Sequence, residues 1–206
     1  NLERGGIYTL KRLFINPGKM VRAYISTGRY SFTPPFRLLL VTTTLVILVI
    51  SYSNMGQQYV NHLTMDPEQA KVWENLRGLE NFANLFLWVY IPIGAFFTWL
   101  FNRKSGINYT ENLVFQTYFL CITNIISLLF ALDHLISPAV LLFLASLGTV
   151  MYSVYSYREF FQKSTGRAIG ESIAIYTIAT TVYSIFLLAI VIGILIYKLG
   201  VPEVGT

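Results

Sequence analysis

Two glutamates stand at the heads of long apolar segments, each followed by a polar face. Glu111 precedes Asn112, Gln116, Thr123, Asn124 and Ser127, which fall near helical spacing. Glu171 precedes Ser172, Tyr176, Thr177, Thr180, Thr181 and Ser184 in the same way. Acids inside a membrane are costly and often serve as proton or cation sites. Ser, Thr, Asn and Gln in the same setting also hydrogen-bond between helices, at roughly 0.6 to 2 kcal/mol each. The helix-to-helix reading is the better one here. Both acids sit at helix N-termini near the interface, where the dipole stabilises a carboxylate for structural reasons alone. The second segment also turns wholly apolar after Ser184. Glu111, Asn112, Gln116, Asn124, Glu171, Tyr176 and Thr180 are therefore polar intramembrane candidates, and no residue stands out as catalytic.

The rest of the chemistry is sparse. Cys121, His62 and His134 are the sole thiol and imidazoles, and they are far apart in sequence. A closed zinc site of this kind needs four ligands, so no metal is expected, and no cofactor motif is present. Neither a serine elbow nor a zinc-protease motif occurs. Asp133-His134 reads as a loop cap. Asn108-Tyr109-Thr110 matches a glycosylation sequon on a side expected to be cytoplasmic. Pro92 should bend the segment that contains it.

The composition says what must carry these residues. Of 206 residues, 54% are hydrophobic and 12% charged. A soluble domain carries roughly 25% charge, so an ordinary soluble globule and a disordered tail are both excluded. The pattern points to an all-α integral membrane protein. A bilayer core about 30 Å thick needs about 20 apolar residues in a helix. Five segments meet that need: Phe36–Ser53, Phe82–Phe101, Asn112–Leu132, Pro138–Tyr157 and Ser172–Tyr197. Of the 15 basic residues, only Lys71, Arg77 and Lys198 fall on one side of these segments. The positive-inside rule then puts the N-terminus in the cytoplasm and, after five crossings, Thr206 outside. The net charge of +5 is an orientation signal and an attraction to anionic headgroups. No nucleic-acid partner is expected.

This gives three regions. Residues 1–35 form a basic interfacial arm, 36–200 a five-span domain with an outer loop at 54–81, and 201–206 a short outer tail. In the arm, Leu10, Leu13 and Phe14 share a helical face beside Lys11 and Arg12. Asn16-Pro17 opens a second short helix with Lys19 and Arg22 on its basic side, and Gly28 would end it. Lys11, Arg12, Lys19, Arg22 and Arg29 are the expected contacts to anionic lipid. In the outer loop, Asp66-Pro67-Glu68 predicts a short helix. Residues 104–127 also align with 164–187: Gly106 falls on Gly166, Glu111 on Glu171 and Thr117 on Thr177. That duplication implies two similar helical hairpins with the first span at their periphery.

Tyr8–Leu40 resembles the start of an uncharacterised multi-pass family common in Bacteroidota, the domain of unknown function 3667. Pro17, Gly18, Tyr24, Ile25, Gly28, Arg29 and Pro35 fit its pattern, and Asn108–Phe115 is similar to its second hallmark. The chain departs from the family where Asn112 and Tyr118 stand in place of histidines, so no metal role carries over; the paired cysteines that begin many members would lie upstream of Asn1. The resemblance implies a bacterial inner-membrane location and no particular activity. Together these readings lead to a non-catalytic accessory or scaffolding subunit of a larger membrane complex, or a homo-oligomer. The alternative is a small transporter or channel subunit using the polar faces of the third and fifth spans. A lipid-active enzyme using Glu111 or Glu171 is a more distant third.

Overall fold

The computed structural model describes residues 2–26, 31–52, 83–132 and 135–200. Among these the secondary structure is helical throughout. The elements are α1 (Leu2–Ile15), α2 (Pro17–Ser26), α3 (Pro35–Tyr52), α4 (Ala83–Phe101), α5 (Tyr109–Ser127), α6 (Pro138–Phe161) and α7 (Thr165–Gly200). Short 3-10 turns follow α4 (Arg103–Ser105) and α5 (Leu128–Leu132). Gly28, Arg29, the outer loop at 54–81, Asp133-His134 and the tail at 201–206 lie outside the described residues.

Helix α5 is the hub. It packs against α3, α4, α6, α2 and α1. Tyr118, Cys121, Ile122 and Asn112 on it are fully buried. Its start is fixed locally by a capping box. Asn108 Oδ1 accepts from Glu111 N at 2.9 Å, and Glu111 Oε2 accepts from Asn108 N at 2.8 Å. Two orphan donors of the first turn are thereby satisfied. The α4–α5 and α6–α7 hairpins close a four-helix ring, since α4 also packs on α7 and α5 on α6. Helix α3 sits outside that ring, against α5. It runs parallel to α5, because Pro35 lies near Cys121 while Thr42 and Thr43 lie near Asn124.

Helix α3 therefore starts about 18 Å further along than α5, taking 1.5 Å for each residue from Tyr109 to Cys121. The arm fills the step left below it. Tyr118 donates to Thr33 O at 2.7 Å, and Thr33 N donates to Thr9 Oγ1 at 2.9 Å. Tyr152 and Tyr155 of α6 donate to Leu13 O and Ile15 O at 3.2 and 2.5 Å. Leu13, Met20 and Val21 join the same core as Phe115, Tyr118 and Phe160. Leu13, Met20 and Val21 of the arm are thus buried against the bundle, whereas Phe14 on the same expected face is 45% exposed.

Five long apolar spans were expected. Among the described residues, two helices are long and apolar enough to cross a membrane, over Ala139–Phe161 and Thr165–Ile194. Pro35–Val49 and Trp88–Phe101 are apolar but shorter. Helix α5 is interrupted by buried Asn112, Gln116 and Asn124, and its last expected turn is 3-10 rather than α. Helix α6 continues to Phe161, beyond the expected end at Tyr157, and α7 begins at Thr165 rather than Ser172. Arg158, Glu159, Arg167 and Glu171 are helical, and reversal takes only 162–164, which holds Lys163, with Gln162 in the left-handed region at φ 51°. The aligned blocks also differ locally. Gly106 has φ 77° in a turn, whereas Gly166 lies within α7.

Candidate functional site

Each helix of the ring contributes to a small, partly open cleft of about 30 Å³. Helix α4 supplies Tyr90 and Thr98, and α5 supplies Phe115, Gln116 and Phe119. Helix α6 supplies Ser153, Ser156 and Tyr157, and α7 supplies Ser172, Ile175 and Tyr176. A polar interior between apolar helices requires that each polar group find a partner. Thr98 donates to Gly94 O at 2.6 Å, and Gln116 Nε2 donates to Thr98 Oγ1 at 2.6 Å. The Gln116 amide lies flat on Gly94, where a Cβ would come within 3.2 Å of it.

A charged network adjoins the cleft through Tyr157. Tyr157 donates to Glu171 Oε2 at 2.6 Å and accepts from Asn102 Nδ2 at 2.7 Å. Lys163 forms an ion pair with the same Glu171 oxygen. Its ammonium also lies 5.4 Å from the centre of the Tyr157 ring and 5.8 Å from that of Phe161. Asn102 directly follows α4, Tyr157 lies one turn before the end of α6, and Lys163 and Glu171 flank the α6–α7 turn. The network therefore joins the turn ends of both hairpins.

The expected site residues are divided by the fold. Gln116 and Tyr176 line the cleft, and Glu171 lies outside that lining but accepts from Tyr157, which belongs to it. Glu111 does not reach it, because its carboxylate serves the capping box. Asn124 faces the other way and donates to Thr43 Oγ1 at 3.0 Å, holding α3. Asn112 is fully buried and donates from Nδ2 to Asn108 O at 2.8 Å. Its Oδ1 has no hydrogen-bond partner among the described residues, and the same is true of Thr180 Oγ1. Lys11 and Lys19 are exposed. Arg12 Nε donates to Tyr8 Oη at 3.1 Å. Arg22 Nε donates to Phe160 O at 2.6 Å, at the C-terminal end of α6.

Sequence reasoning missed α6. Ser153, Ser156 and Tyr157 recur at the same three-to-four spacing that marked the other two polar faces, so the signal was present. It also missed Glu159. Gly18 N, at the start of α2, donates to Glu159 Oε2 at 3.1 Å. A carboxylate from α6 thus meets the positive end of α2. A Cβ at Gly18 would run into the backbone of Glu159 and Phe160. Pro17-Gly18 is a close helix crossing.

That contact places the arm's most distinctive residues inside the segment that carries a family signature. Residues 3–47 match the family described as "Protein of unknown function (DUF3667)". No curated protein and no solved structure matches the chain. The matched stretch spans α1, α2 and most of α3, so the likeness covers the arm and its docking rather than the cleft. Among the described residues, no group of three His, Cys, Asp or Glu could hold a metal ion.

Proposed function

We propose that this chain is a non-catalytic multi-pass protein of a bacterial inner membrane, acting as an accessory or scaffolding subunit or as a homo-oligomer. Its five apolar helices cross the bilayer, with the N-terminus cytoplasmic and the C-terminus outside. The observation that carries this reading is α7. It holds an 18-residue window of mean hydropathy 2.2, of which only 6% is buried within the chain. A helix that is apolar all round and uncovered needs lipid tails or another membrane protein around it. The neighbouring helices repeat the pattern, with Leu142, Phe143 and Met151 of α6 all more than half exposed.

Charge supports the orientation. The α1–α2 corner, the turn after α4 and the α6–α7 turn meet at one end of the bundle, through Gly18–Glu159 and Asn102–Tyr157–Glu171. Most of the basic residues lie on these three segments. The exposed Lys11 and Lys19 would then face anionic headgroups, at about 1 kcal/mol for each residue near the surface.

The test is purification in gentle detergent from a native host, tagged at Thr206, with mass spectrometry of what accompanies it. A stoichiometric membrane protein, or a particle of several copies, is the expected result. A lone monomer would sink the subunit reading. The cleft favours a second reading, a transporter or channel subunit, since it places polar side chains from four helices around one space. Solute flux into vesicles containing the purified chain would separate the two.

A further inference from the structure

The hydroxyls of the cleft are oriented by what they must donate to. Ser153 bonds Val150 O at 2.7 Å, Ser156 bonds Ser153 O at 3.2 Å and Ser172 bonds Ile169 O at 3.3 Å. A carbonyl oxygen can only accept, so in each pair the serine is the donor. Each serine oxygen then keeps only lone pairs to offer to the cleft. Thr98 donates to Gly94 O in the same way, so Gln116 must turn its NH2 toward Thr98 and keep Oε1 as an acceptor. Helices α5, α6 and α7 therefore bring uncharged acceptor oxygens to one space, and Tyr90 and Tyr176 add aromatic walls. Ser153, Ser156, Ser172 and Gln116 are all buried.

Such a lining selects by chemistry. An anion would meet lone pairs. A divalent cation would lack the carboxylates it normally requires. The carboxylate at the rim, Glu171, is already neutralised by Lys163. A singly charged cation is suited to neutral oxygens that replace its hydration shell and to aromatic faces beside it. We propose that the cleft binds a small monovalent cation, an alkali metal or ammonium ion, through the oxygens of Ser153, Ser156, Ser172 and Gln116. This needs the four-helix ring but neither transport nor a partner subunit. It can fail while the reading above stands, and the reverse also holds.

A cation bound only by the folded state raises its stability by mass action. The full chain, purified in detergent, is melted in sodium, potassium, ammonium and N-methylglucamine chloride at equal ionic strength. At least one small cation should raise the midpoint saturably by about 3–6 °C over the bulky organic cation, as a gain of one tenfold binding step implies for a chain of this size. Ser156→Ala/Ser172→Ala should abolish that shift, since it removes two oxygens while keeping good helix formers. Ser146→Ala, on the exposed face of α6, should retain it. Midpoints that follow ionic strength alone, or a shift that survives in the double variant, would overturn the proposal. If the double variant gives no cooperative melt, the decision passes to the sodium NMR resonance with the unaltered chain. Saturable broadening displaced by potassium or ammonium supports the site, and its absence overturns it.

Discussion

Gly18 shows how much a single residue can fix. Helix α2 reaches the backbone of α6 only because that position has no side chain, and its N–H then finds the Glu159 carboxylate. Gly18→Ala should destabilise the chain by about 3 kcal/mol, as overpacking does when neither side can yield. The measurement is the thermal midpoint in detergent, and an unchanged midpoint would remove the contact. Glu111 makes the opposite case. Its role is to complete a capping box, which glutamine also completes. Glu111→Gln should therefore stay within about 0.5 kcal/mol of the parent, whereas Asn108→Ala should cost about 1 kcal/mol. A severe loss in Glu111→Gln, measured by the same melt, would mean that its charge does something other than cap. The residue type of Glu111 was legible in the sequence, and so was its helix-start position. Glu159 was not, because its partner is 141 positions away in the chain and nothing local marks a helix end that will be crossed.

At the level of elements, amphipathic patterning located the helices but not what covers them. The arm reads as two short helices with one apolar face each, and both are present. Periodicity gives the angle of that face. It cannot say whether lipid or protein meets it, since either is equally apolar. The step between the starts of α3 and α5 decided the matter, and that step follows from the tertiary register. The same reasoning explains the cleft. The polar stripes on α5 and α7 were visible, but only packing reveals that the α6 serines complete them and that Asn124 turns away toward α3. Asn124→Leu should loosen α3 from α5, costing about 0.6–2 kcal/mol for the lost bonds to Thr42 and Thr43. A double-mutant cycle with Thr43→Val should show a coupling of that order, and additive losses would contradict the bond.

Across the whole molecule, two independent lines arrive at one arrangement. Basic residues cluster in three separated segments of sequence, and the fold brings those same segments to one end through hydrogen bonds that have no connection with the charge count. The apolar flanks of α6 and α7 lie between that end and the other. Among the described residues two helices are long and apolar enough to cross a membrane, and the proposed five crossings depend on α3, α4 and α5 running through the same layer. Cysteine labelling of intact cells addresses this directly. In a Cys121→Ser background, Ser105→Cys and Ser164→Cys report on the two hairpin turns, and Ser137→Cys on the opposite end of α6. Five crossings with a cytoplasmic N-terminus require that a membrane-impermeant maleimide modify position 137 in intact cells and positions 105 and 164 only after permeabilisation. Equal labelling of all three in intact cells, or of none until lysis, would contradict a membrane-spanning bundle.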